Sequence, residues 1–108
     1  MKRNTLEKEA GETFEIYGDF TKELSSPITG LADDTIDISS TTITAVDKDG
    51  VDATATVLTA AGKRIVATNY VGVWCKAGIA AGSPYIISFK MVTAGGANWQ
   101  VDVEMTVN

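Results

Sequence analysis

The sequence predicts an all-β domain, with about seven short strands folded into an antiparallel β-sandwich. Three observations carry that expectation. Of 108 residues, 33 are Thr, Val or Ile, against 4 Leu, and branching at Cβ stiffens χ1 and suits a pleated strand better than a helix. Apolar and polar residues alternate with a period of two in several stretches. Turn formers (Gly, Pro, Asn, Asp and Ser) recur between those stretches.

The elements follow in chain order. Residues 1–12 carry six charges (Lys2, Arg3, Glu7, Lys8, Glu9, Glu12) and one large aliphatic residue, Leu6. They read as a charged N-terminal arm that either stays mobile or orders against a partner. The sandwich domain spans 13–108. Its first strand has Phe14, Ile16 and Phe20 on one side of Glu15, Tyr17 and Asp19, with a bulge expected at Gly18. Residues 21–34 read as a loop, with Ile28 and Leu31 packing over one end of the core. The second strand covers about 36–46. Ile36 and Ile38 share one phase and Ile43 and Ala45 the other, so a bulge or bend is expected between them.

Asp47-Lys48-Asp49-Gly50 is a turn. A third strand is expected at about 51–58, with Val51, Ala53, Ala55 and Val57 inward, and Ala60-Ala61-Gly62-Lys63 then turns the chain. A short fourth strand holds Ile65 and Val66. The fifth, at about 70–76, alternates Val71, Val73 and Cys75 with Tyr70, Gly72 and Trp74. The sixth turns Tyr85, Ile87, Phe89 and Met91 inward. The seventh turns Trp99, Val101, Val103, Met105 and Val107 inward, and Gln100, Asp102, Glu104 and Thr106 to water.

Composition narrows the function. The formal charge is −5, with 14 acids against 9 bases, which repels phosphate backbones and argues against a nucleic-acid partner. There is no His, the commonest general base and a frequent metal ligand. A single Cys leaves no intrachain disulfide. No apolar run approaches the roughly 20 residues of a membrane span, and the charged N-terminal residues do not form a signal peptide. The expectation is a binding or structural protein, with no enzyme activity, cofactor, metal or membrane partner.

Tyr85 opens the sixth strand after Gly78-Ile79-Ala80-Ala81-Gly82-Ser83-Pro84. Immunoglobulin-like sandwiches place a tyrosine at this corner, with its hydroxyl turned back onto upstream backbone. Three further segments extend the likeness: Lys8-Glu9-Ala10-Gly11-Glu12-Thr13 leading to Asp19-Phe20, then Val71-Gly72-Val73-Trp74, and Met91-Val92-Thr93. On these residues the chain resembles small phage-encoded immunoglobulin-like proteins. Ala10 stands where that family usually has Pro, and 21–34 is longer than its loop. The resemblance implies a non-enzymatic virion component, made in the bacterial host cytoplasm. It would bind other virion proteins and its own copies at the tail, neck or fibre attachment, or as a capsid decoration.

Several residues are candidates for function. Tyr70 and Trp74 face outward if Val71, Val73 and Cys75 face the core, and exposed aromatics are enriched at interface hot spots. They form a protein interface or, alternatively, a stacking platform in a carbohydrate- or cell-surface-binding module, unless a loop carrying Ile28 and Leu31 covers Trp74. Ile86 and Val92 are outward on the sixth strand and form a second candidate contact. Leu6 and the arm around it form a third. Asp47, Asp49 and Asp52 resemble part of a calcium loop, but Leu58 stands where such a loop needs its bidentate Glu, so they read as an Asp-Gly turn. Asp33 and Asp34 read as turn caps. Cys75 reads as a small core side chain.

Overall fold

The computed structural model describes residues 2–24, 35–76 and 80–108. Among them are seven strands: β1 (Lys2–Lys8), β2 (Glu15–Asp19), β3 (Thr42–Val46), β4 (Leu58–Val66), β5 (Tyr70–Cys75), β6 (Tyr85–Val92) and β7 (Asn98–Val107). Two single helical turns, α1 (Thr21–Leu24) and α2 (Thr54–Val57), and a 3-10 turn at Ala80–Gly82 complete the described elements. The strands form a four-stranded sheet in the order β1-β7-β6-β3 and a three-stranded sheet in the order β2-β5-β4.

One apolar core lies between the sheets. The larger sheet supplies Ile43, Ala45, Tyr85, Ile87, Phe89, Met91, Val101, Val103, Met105 and Val107, and the smaller supplies Ile16, Leu58, Val71, Val73 and Cys75. The alternation read from the sixth strand holds throughout its length, since Tyr85, Ile87, Phe89 and Met91 are all buried. The layers approach closely where Gly18 of β2 meets Phe89 of β6. A Cβ on Gly18 would lie 2.7 Å from Phe89 Cγ, so this glycine allows a ring to rest on bare backbone.

Apart from β1, the strands divide three and three, with β2, β4 and β5 in one sheet and β3, β6 and β7 in the other. The first strand departs from the sequence expectation. The segment read as a charged arm contains β1, whose residues Lys2 to Lys8 pair in parallel with Val101 to Val107. The sandwich is therefore not wholly antiparallel. Lys8, counted among solvated charges, is buried, with its Nζ donating to the carbonyls of Glu9 (3.1 Å) and Ala10 (3.4 Å).

Residues 51–66 also differ from expectation. In place of a third strand, the chain makes one isolated bridge (Val46 to Asp52), turns through α2, and begins β4 at Leu58. Val51, expected inward, is exposed. The tight turn at 47–50 would hold the next strand in the same sheet, and α2 instead carries the chain across. Ala60 to Lys63, read as a turn, lies within β4, where the register with β5 shifts between Thr59 and Arg64. The separate third and fourth strands of the sequence reading thus become one helical turn and one bulged strand.

The bend expected within the second strand is present. Ile36 bridges to Thr93, residues 38–40 turn, and β3 starts at Thr42. Buried Thr41 holds the bend, since its Oγ1 donates to the Asp37 carbonyl (2.8 Å) and accepts from the Val92 amide (3.1 Å). At the other end, the Gly82 carbonyl accepts from the Lys48 amide (2.9 Å) and Ser83 Oγ accepts from the Val107 amide (2.8 Å). Tyr85 is buried and its ring folds back over Gly82, where a Cβ would lie 2.9 Å from Cζ.

Two expectations for β7 are corrected. Trp99, placed in the core by phase, is 38% exposed. It pairs with Met91 near the end of the ladder and lines a shallow depression with Lys90, Asn98 and Gln100. Asp102, expected in water, is 3% exposed, and its Oδ1 accepts from Gln100 Nε2 at 2.8 Å.

Candidate binding face

The outer surface of the three-stranded sheet gathers the exposed aromatics. Register sets three rows across β2, β5 and β4: Glu15, Trp74 and Thr59, then Tyr17, Gly72 and Arg64, then Asp19, Tyr70 and Val66. Alternation puts these side chains outward because Ile16, Val71, Val73 and Cys75 take the inward positions. Trp74 is 49% exposed and Tyr17 44% exposed. Tyr70 is half-buried, with its ring edge-on to that of Tyr17 (centroids 6.2 Å apart, planes at 87°). Such a pair contributes about 0.5–1.5 kcal/mol beyond its buried area.

A charged fork braces the middle row. Arg64 donates from Nε to Glu15 Oε2 and from a terminal nitrogen to Glu15 Oε1, both at 2.7 Å. Tyr17 also donates its hydroxyl to Glu15 Oε1, at 3.0 Å. The fork crosses directly above Gly72, where a Cβ would lie 2.8 Å from Glu15 Oε2. A side chain at residue 72 would displace the carboxylate, so the absence of one is what lets the outer strands join over the central strand. The Arg64 hydrogen bonds are the main reason the Glu15 carboxyl titrates below its ordinary range. The hydrogen bond to Glu15 is the main reason the Tyr17 hydroxyl titrates above its own. The result is a flat, pre-organised face in which an indole lies beside a fixed carboxylate and guanidinium. It is suited to stacking and to hydrogen bonding with a ligand or protein surface.

Of the candidates read from the sequence, Tyr70 and Trp74 lie together on this face. Leu6 does not join them. It is half-buried on the core side of β1, packed against the core cluster. Ile86 and Val92 lie on the opposite outer face, on β6, and are half-buried. Tyr85 belongs to the core. Ile28, Leu31, Asp33 and Asp34 lie outside the described residues, as do Gly78 and Ile79 of the corner. Sequence reasoning missed Glu15, Tyr17, Arg64 and Gly72. Tyr17 was within reach, since it shares the outward phase of Glu15. Arg64 was not, because its place depends on the register shift in β4.

The remaining candidates are engaged locally. Asp47 Oδ1 accepts from the amides of Asp49 (2.9 Å) and Val51 (3.0 Å). Asp52 Oδ1 accepts from the Thr54 amide (3.2 Å) and hydroxyl (2.7 Å). Cys75 is buried on the inner face of β5. Among the described residues no group of three or more His, Cys, Asp or Glu is placed to hold a metal ion. Compared with protein-family models and with curated proteins, the chain matches none.

Proposed function

We propose that this chain is a non-enzymatic structural subunit of a bacteriophage particle, an immunoglobulin-like sandwich that binds other virion proteins through the aromatic face of its smaller sheet. The carrying observation is the half-exposed Trp74, set with Tyr17 and Tyr70 on a face braced by the Glu15–Arg64 fork. Large rigid aromatics bury area at low entropic cost, and such residues dominate interface energetics. The phage context rests on the motif resemblance in residues 8–108. The division of β2 to β7 between the sheets supports the immunoglobulin-like part of the reading. Tail, neck or fibre attachment is the preferred position, with capsid decoration next.

The test is immunogold electron microscopy and quantitative mass spectrometry of particles from the source strain. The chain is expected in fixed stoichiometry at a symmetric position, and Trp74→Ala is expected to lose incorporation while keeping its fold. Absence from every purified particle overturns the reading.

A second reading is favoured by the polar groups beside Trp74. An indole flanked by a carboxylate and a guanidinium can stack on a sugar ring and bond its hydroxyls, as in a carbohydrate- or cell-surface-binding module. Saccharide binding on a glycan array, lost in Trp74→Ala and in Arg64→Ala, would select this reading.

A further inference from the structure

The start of β7 carries chemistry that the Trp74 face does not use. Trp99, 38% exposed, lines a depression of about 380 Å³ with Lys90, Asn98 and Gln100. Lys90 faces Gln100 across the β6–β7 ladder, and Asn98 stands two residues before Gln100 on the same strand. Alternation puts these three polar side chains on the outer face of the four-stranded sheet, because Phe89, Met91 and Val101 take the inward positions. Trp99 has the inward phase, but β1 enters the ladder with β7 only at Val101. Among the described residues, no strand therefore flanks the indole on that side.

The four side chains differ in what already holds them. Gln100 is fixed, since its Nε2 donates to Asp102 Oδ1 at 2.8 Å and Asp102 is 3% exposed. A buried carboxylate thus sets one wall of the depression. The side chains of Lys90, Asn98 and Trp99 make no hydrogen bond or ion pair with any described residue. Register sets Lys90 between Thr42 and Gln100, so no carboxylate stands directly opposite its ammonium. The depression offers a flat apolar ring, one uncompensated cation, and a carboxamide with both a donor and an acceptor end.

We propose that this depression is a saccharide site, and that its ligand is a sugar unit bearing a carboxylate, a uronic acid. The face of a pyranose ring that carries C–H groups matches the indole in shape and polarity. Asn98 can donate to one hydroxyl and accept from its neighbour. Lys90 supplies a charge-assisted hydrogen bond to the carboxylate. A few placed polar groups beside an apolar surface orient a small ligand, and the volume is within the roughly 300–1,000 Å³ usual for such sites. A phosphorylated ligand fits less well. Its dianion would meet one cation, in a chain of net charge −5, whereas a uronate brings one charge to one ammonium. The depression is shallow and solvent screens Lys90, so affinity for a single unit is low and falls with salt. The site is on the opposite sheet from Trp74 and does not depend on the particle assignment.

The test is a nitrogen–proton NMR titration of the full chain with the trisaccharides of galacturonic, mannuronic and guluronic acid. Maltotriose serves as the neutral counterpart, and inorganic phosphate and a nucleoside monophosphate as competing anions. The side-chain signals of Trp99, Asn98 and Gln100 are expected to move with at least one uronate, while the Trp74 indole signal stays. Lys90→Gln is expected to weaken that uronate about threefold to fivefold and to reduce its salt dependence. Trp99→Ala is expected to weaken it about tenfold or more, and Trp99→Phe, which keeps a flat ring at this exposed position, by less. The fold of each variant is read from the same spectra. No shift at Trp99 with any uronate overturns the proposal. So does binding that favours maltotriose, phosphate or the nucleotide, or binding that Lys90→Gln leaves unchanged. Shifts centred on Trp74 also overturn it, and would support the saccharide reading of the aromatic face instead.

Discussion

On the outer face of the three-stranded sheet Trp74 is 49% exposed, whereas on the outer face of the four-stranded sheet Asp102 is 3% exposed. Both residues lie on a strand flanked by neighbours on both sides, and both point away from the core. Hydrophobicity alone would assign them the other way round. What separates them is the cover beside each. Glu15, opposite Trp74, directs its carboxylate over Gly72 toward Arg64 and leaves the indole bare. Asp102 lies opposite Ser88 of β6 by register, and Gln100 bonds to it along its own strand. Exposure on these faces is decided by the reach of adjacent side chains.

This contrast can be broken or sharpened experimentally. The largest effect is expected at Asp102. Asp102→Ala removes a buried acceptor, and the expected loss is about 1–3 kcal/mol in urea unfolding; a loss near zero would mean the carboxylate is effectively in water. Next is the hairpin between β4 and β5, where Ala67 (φ 49°) and Thr68 (φ 66°) adopt left-handed backbone. A β-branched residue is ill-suited to that region. Thr68→Gly is expected to gain about 1 kcal/mol, read as a higher denaturation midpoint, and a lower midpoint would refute the assignment of strain.

A smaller effect concerns acid. The Glu15 carboxyl is held below its ordinary value of 4.5, chiefly by Arg64. Its contribution to stability is therefore complete above that value and is lost as pH falls through the lowered one. Asp37, bonded by the Ser39 and Ser40 hydroxyls, and Asp52, bonded by Thr54, are lowered from 3.8 and act in the same direction. Acid should thus weaken the fold, and Glu15→Gln should flatten part of that slope. The same variant should return the Tyr17 hydroxyl toward its ordinary value in an absorbance titration, since Glu15 is the main cause of its upward shift. The smallest stability effect is expected for Trp74→Ala, within about 0.5 kcal/mol. A substantially larger loss would show the indole to be structural and would remove the basis for the binding face.

How much of this was legible in the sequence differs strand by strand. In β6, strict alternation gave the inward set without error, because one face is dry and the other is not. The same rule failed at the start of β7: Trp99 has the inward phase and pairs with buried Met91, yet it is 38% exposed, and phase alone does not report how much of a side chain is covered at a strand end. The Thr54–Val57 turn was illegible because Thr-Ala-Thr-Val has strand propensity and tertiary context overrides it. Strand β1 was illegible because parallel pairing with β7 joins the two ends of the chain and leaves no local turn signature. For the binding face, alternation exposed Tyr70 and Trp74. The fork beneath them depends on a non-local register that no local pattern carries.

The contact between Gly18 and the Phe89 ring couples two positions 71 residues apart. Neither can drift alone. A side chain gained at 18 would have to be matched by atoms surrendered at 89, so variants that fold should show paired change at these sites. In a double-mutant cycle, Gly18→Ala should be tolerated better alongside Phe89→Leu than in the native background. The spacing between the layers would then be inherited as a pair of residues, with neither one sufficient to specify it.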